Sequence, residues 1–169
     1  MKHVILFLFV FGLISFSEAQ QPAQPEKVAK VSEKKWLDES RGYAEALELQ
    51  KQTGADLLVY FAQYSPPDRK GLSTWFERKS LQHGLVVEGL KPYIKVKVML
   101  PLDKKEVPVF EKLKVTGGPT LVVVQTNGWS YRVGPFDWPG GQPELKKPEA
   151  LIEEIRSHSG LRYQKPASE

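Results

Sequence analysis

The run from Leu57 to Ala62, LLVYFA, constrains this chain more than any other stretch. Every position is apolar, so the segment cannot turn one face to water and the other to a core. A strand of that composition sits in the middle of a sheet with cover on both sides, which in a chain of this length means helices. The run ends in a polar turn, Gln63-Tyr64-Ser65-Pro66-Pro67-Asp68, and helical spacing of Leu72, Trp75, Phe76 and Leu81 follows over Arg69 to Gln82, with Gly84 as a stop. Trp75 is expected in the core. A strand that feeds a helix N-terminus gathers unpaired N–H groups at the positive end of a helix dipole, so this turn is the first place to look for chemistry.

The remaining elements alternate around that strand. Tyr43, Ala44, Ala46, Leu47 and Leu49 follow a helical period within Asp38 to Thr53, and Gly54 terminates them. Tyr93 to Leu100 sets Ile94, Val96 and Val98 against Lys95 and Lys97, which predicts a strand with one wetter face, closed by Pro101. A short helix capped by Asp103 and ending near Lys114 should turn Val107, Phe110 and Leu113 inward. Leu121 to Gln125 and Trp129 to Val133 flank Asn127-Gly128, the strongest short hairpin signal in the chain. Pro135 to Pro148 is read as a loop carrying Phe136 and Trp138. Glu149 to Ser157 forms a last helix with Ala150, Leu151 and Ile155 inward and Gly160 as its stop. Helices and strands in this order predict an α/β sheet.

The first residues carry an address rather than structure. Met1-Lys2-His3 is a basic start, Val4 to Phe16 is apolar, and Ser17-Glu18-Ala19 has small residues at the spacing a signal peptidase reads. Residues 1–19 are therefore expected to be a signal peptide cleaved after Ala19, residues 20–34 a disordered leader, residues 35–160 one domain and residues 161–169 a flexible tail. No later run reaches the roughly 18 apolar residues of a spanning helix, so no membrane insertion is expected after cleavage. The expected address is export, to a periplasm or the extracellular space, with a secretory lumen also open. The chain has no cysteine, so it must hold together by packing and has no thiol chemistry. Its 24 basic and 20 acidic residues are scattered, which reads as solvated surface and not as a nucleic-acid footprint.

Three readings of the turn are open. As a helix-start device, Ser65 is the N-cap, Pro66 the first helical residue and Asp68 the third, reaching back as in a capping box. As a surface, the turn lines a binding site. As a catalytic centre, Ser65 or Asp68 needs a base and an orienting group. Past the first 19 residues only His83 and His158 remain, each near a helix C-terminus and neither beside the turn. Neither a metal site nor a cofactor site is expected, because two isolated histidines and no cysteine make a poor ligand set and no phosphate-binding glycine pattern occurs.

The strand ending in YFAQY before a four-residue turn and a helix, together with Gly117-Gly118-Pro119-Thr120 leading into LVVV, resembles the thioredoxin-like superfamily over Trp36 to Ser159. The resemblance implies a three-layer α/β/α sandwich whose mixed sheet carries a C-terminal antiparallel hairpin and a final helix. It sets the family's Cys-x-x-Cys on Ser65, Pro66, Pro67 and Asp68, with Tyr64 before and Arg69 after, and sets the family's buried proton-moving carboxylate on Val59. Both halves of the redox apparatus are thus absent, since a serine hydroxyl forms no disulfide. Pro119 matches the family's cis-proline, beside which relatives pair with extended peptide. The function expected is a redox-inactive, non-catalytic peptide- or protein-binding or chaperone-like module using Tyr64 to Asp68, Gly117 to Thr120 and Trp138. An enzyme with other chemistry at Ser65 or Asp68, and a structural assembly subunit, are the alternatives.

Overall fold

Leu57–Gln63 is the middle strand of the sheet in a computed structural model that describes residues 36–66 and 71–163. The chain opens with β1 (Leu37–Asp38), α1 (Glu39–Thr53) and β2 (Leu57–Gln63). Next come α2 (Leu72–Phe76), which runs on through a π-helical turn at Glu77–Leu81, then α3 (Gly84–Gly89) and β3 (Ile94–Leu100). The second half holds α4 (Val107–Phe110), followed by a 3-10 turn at Glu111–Leu113, β4 (Thr120–Val124), β5 (Ser130–Val133), β6 (Phe136–Asp137), β7 (Glu144–Leu145) and α5 (Pro148–Ser157). The expected signal peptide and leader, the tail from Gln164 on, and Pro67 to Lys70 lie outside the described residues.

Sheet order is β1-β3-β2-β4-β5. β2 runs parallel to β3, with Leu57 opposite Ile94, and antiparallel to β4, with Phe61 opposite Thr120. Its side chains alternate between two cores as the pleat requires: Leu57, Val59 and Phe61 join α1, and Leu58, Tyr60 and Ala62 join the helices of the other face. This is the three-layer, mixed-sheet architecture that the sequence implied. The Asn127-Gly128 hairpin also forms as expected, with Gly128 N–H donating to Gln125 O at 2.9 Å and Trp129 N–H to Asn127 Oδ1 at 3.0 Å.

Several local expectations are corrected. The helix after the turn starts at Leu72 and not Arg69, and Gly84 opens α3 instead of ending a helix, because His83 is extended (φ −70°, ψ 132°). Val107 is exposed, while Phe110 and Leu113 are buried as expected; Ala150 is exposed, and Ile152 takes its inward place. The wetter face expected of β3 is covered: Lys95 is buried, and Lys97 reaches Glu77 of the π turn at 3.0 Å. The Pro135–Pro148 loop contains the short β6–β7 pair. Order also continues past Gly160: Tyr163 stacks on Tyr93 at 4.9 Å, and its hydroxyl accepts the Asp56 N–H at 2.9 Å.

Candidate functional site: a cleft beside a cis-proline loop

β2 delivers the chain to the turn. Gln63 N–H donates to Ser73 Oγ at 2.8 Å, which fastens the end of the strand to α2, and Tyr64 N–H donates to Leu100 O at 3.0 Å. The capping role expected of Ser65 is corrected. The N-cap of α2 is Gly71, and Ser65 instead lies against it, so closely that a Cβ on Gly71 would overlap the Ser65 side chain. Pro66 therefore does not occupy the first helical position. The N-cap thus falls six residues later than expected, at Gly71 and not at Ser65. Pro67 and Asp68 fall outside the described residues.

The loop from Gly117 to Thr120 lies across the end of β2, and its Gly118–Pro119 bond is cis. Gly118 approaches the strand so closely that a Cβ there would stand 2.7 Å from Phe61 O and 2.9 Å from Gln63 N. Thr120 Oγ–H donates to Gly117 O at 2.9 Å and closes the loop on itself. Pro119 is buried and Trp138 is 58% exposed. Gly117, Gly118, Pro119, Thr120 and Trp138 line one cleft of about 220 Å³, shared with Leu72, Pro135 and Phe136.

Beneath α2 a polar cluster ties helix to sheet. The buried Tyr60 hydroxyl donates to Glu77 Oε1 at 3.2 Å, and Lys97 Nζ lies 3.0 Å from the same oxygen. Burial pushes the Tyr60 phenol well above its ordinary value, so it remains a donor at any physiological pH. This cluster fixes the π turn on β2 and β3 and presents no nucleophile to the cleft.

The structure thus brings together five of the ten residues singled out from sequence. Tyr64, Ser65 and Pro66 are not among the residues lining the cleft, although Tyr64 is 63% exposed. Trp129 stands at the other end of the β4–β5 hairpin, in a ladder with Tyr131 and His158. Trp75, expected in the core, is 38% exposed and leans on Phe136 at 5.3 Å, which extends the aromatic margin of the cleft. Leu72 and Pro135 were missed as site residues, while Phe136 was noted only as a loop aromatic. The alternation of Phe136 and Trp138 on either side of Asp137 was the available signal, since period-two spacing puts them on one side of a short strand.

Neither a protein-family model nor a curated protein matches the chain. Among solved structures, a DsbH oxidoreductase is similar at 20% identity with a TM-score of 0.51, over 83% of this chain and 92% of its own length. The C-terminal domain of DsbD from Neisseria meningitidis is similar in its reduced and oxidised forms, at 14% and 13% identity, each with a TM-score of 0.51 over 73% of this chain and 98% of the domain. The chain has the thioredoxin-like fold, carried by a sequence with no cysteine and so without the thiol that thiol–disulfide exchange requires.

Proposed function

We propose that this protein is an exported, redox-inactive binding module that holds an extended segment of a protein partner in the cleft beside the cis-proline loop. One observation carries the reading: the Gly117–Thr120 loop and the exposed Trp138 line a single cleft bordered by apolar side chains. Recognition of an extended peptide needs main-chain hydrogen bonds and side-chain pockets, and neither requires a thiol. Gly118 supplies backbone at the cleft, while Trp138 and Phe136 supply apolar area of the kind that anchors interfaces. Export through residues 1–19, to a periplasm or the extracellular space, belongs to the same reading.

An enzyme using Ser65 has less support. His158 stacks on Tyr131 at 5.0 Å, at the hairpin end remote from the turn, and cannot serve Ser65 as a base. An assembly subunit would use the same cleft with one fixed partner, and the test below covers it.

The test is a peptide-array screen of the mature protein, with affinities for the best sequences measured for wild type, Trp138→Ala and Thr120→Arg. Trp138→Ala should weaken binding at least about tenfold, as for a central aromatic anchor, and Thr120→Arg should abolish it. Tyr64→Ala should cost much less, because Tyr64 is outside the cleft lining. Peptides that bind equally well to wild type and both cleft variants would overturn the assignment.

A further inference from the structure

The opposite end of β4 borders a larger and quite different recess. α1 packs chiefly on β3 and β1 and reaches β4 through Gln50, whose Nε2–H donates to Val124 O at 3.0 Å; beyond that contact the short α4 segment leaves a recess. The result is a groove of about 880 Å³ between α1, the α4 segment and the β4–β5 hairpin. That size is within the range of about 300–1,000 Å³ usual for small-molecule sites. Its lining is mainly aliphatic, with Ala44 and Leu47 from α1, Val109 and Leu113 from the α4 segment, and Val124 from β4.

Two polar features give the groove a direction. Tyr43 is only 8% exposed and its ring rests against Phe110 at 5.1 Å, yet its hydroxyl makes no hydrogen bond among the described residues. The hydroxyl is not sealed in the core, since no buried side-chain oxygen or nitrogen among the described residues lacks a partner, so it opens on the groove and can donate to a ligand there. Burial also raises the Tyr43 phenol above its ordinary value, which keeps the proton on it. The charged residues of the lining are Lys51 and Lys112, and no carboxylate residue is part of it. Lys51 is engaged by Glu48 at 2.7 Å, whereas Lys112 forms no ion pair among the described residues.

We propose that this groove is a binding site for a single-chain carboxylic acid. The alkyl chain lies along Leu47, Leu113 and Val124, and the carboxylate accepts from the Tyr43 hydroxyl and is neutralised by the Lys112 ammonium. One hydroxyl and one lysine suit a monoanionic carboxylate, whereas a phosphate group is more often met by an arginine fork or a set of backbone N–H groups. A cationic amphiphile is disfavoured, since its head would meet two lysines. The site is separate from the peptide cleft and stands whether or not that reading holds.

The experiment titrates the mature protein with dodecanoate below its micellar concentration, by calorimetry and by amide chemical shifts. Dodecanoate should saturate with a dissociation constant on the order of 10–100 µM, comparable with the partitioning of one acyl chain, and removal of two carbons should weaken it about tenfold. Dodecyltrimethylammonium should bind at least about tenfold more weakly. Tyr43→Phe, which removes only the hydroxyl, and Lys112→Glu should each weaken dodecanoate about three- to tenfold. Ala44→Trp, at an exposed helix position, should fill the groove and abolish binding without unfolding the chain. Absence of saturable binding, equal affinity for the cationic amphiphile, or undiminished binding to Ala44→Trp would each overturn the assignment. So would a dimer that masks the groove and that dodecanoate does not dissociate, because a second copy would then be the occupant.

Discussion

Replacing Gly118 with alanine tests the cleft's construction at its tightest point. The new Cβ would stand 2.7 Å from Phe61 O and 2.9 Å from Gln63 N, against ordinary contacts of 3.4–4 Å. Neither atom can yield as a side chain would. Phe61 pairs with Thr120 on one side of β2 and Val98 on the other, and Gln63 N–H is held by Ser73 Oγ at 2.8 Å. Relief therefore requires the loop to lift by several tenths of an ångström, and overpacking of this kind costs about 1–3 kcal/mol. Alanine also restricts the unfolded chain, which offsets about 0.4–1 kcal/mol, so the net loss should lie between about 0 and 2.6 kcal/mol. Gly117 is the matched control: a Cβ there meets nothing within 4 Å, so only the unfolded-state term acts and Gly117→Ala should stabilise by about 0.4–1 kcal/mol. Urea unfolding of the two variants should thus separate neighbouring positions by about 2 kcal/mol, with similar m-values, and shift their Tm values apart by about 8 °C. If Gly118→Ala matches Gly117→Ala, the loop does not rest on the strand as described.

Tyr163→Phe removes the acceptor of the Asp56 N–H and should cost about 1–3 kcal/mol in urea unfolding, whereas a frayed tail would make the change neutral. Tyr60→Phe takes away the donor to Glu77 but leaves the Lys97 pair, and a loss of about 1 kcal/mol is expected, measured in the same way. A pH series on Glu106→Gln probes the carboxylate at the start of α1. Burial and then the neighbouring Glu106 raise the Glu39 carboxyl above its ordinary value. A raised folded value means that Glu39's contribution to stability is complete below the unfolded value and is lost as pH rises through the folded one. Removing the Glu106 charge should therefore stabilise the protein by about 0.5 kcal/mol at pH 7 and by nothing at pH 3, and equal effects at both would contradict the coupling.

The fold was legible where a local signal coincided with its tertiary cause. Leu57 to Ala62 could only be a covered strand, Asn127-Gly128 could hardly be anything but a hairpin, and Gly-Pro-Thr before an apolar run marked the loop whose Gly118–Pro119 bond is cis. The candidate cleft was half legible for the same reason, since the loop was visible but its opposite wall was not. Phe136 meets Trp75 across the fold, and no periodicity within either segment announces that contact. Gly84 misled because a glycine after a helical run reads as a stop, while this one keeps no left-handed φ and starts a new helix. Ser65 misled in a similar way, because Ser-Pro is a good helix start and nothing local told that the helix would wait until Leu72. The groove was invisible, because its walls come from α1, the α4 segment and the β4–β5 hairpin, which are far apart in the sequence.

The bonds at Asp56 have a bearing on the order in which this molecule can assemble. Asp56 stands immediately before β2, and it is secured by its N–H to the Tyr163 hydroxyl, 107 residues later, and by its carboxylate to the Gly160 N–H, 104 residues later. A chain emerging from the ribosome presents β2 early but cannot fasten its leading edge until the last turns have emerged. Contacts of such long sequence separation form late, since the loop they close must be ordered first. The central strand thus stays unfastened at its leading edge during synthesis, and the arrival of Gly160 and Tyr163 closes it.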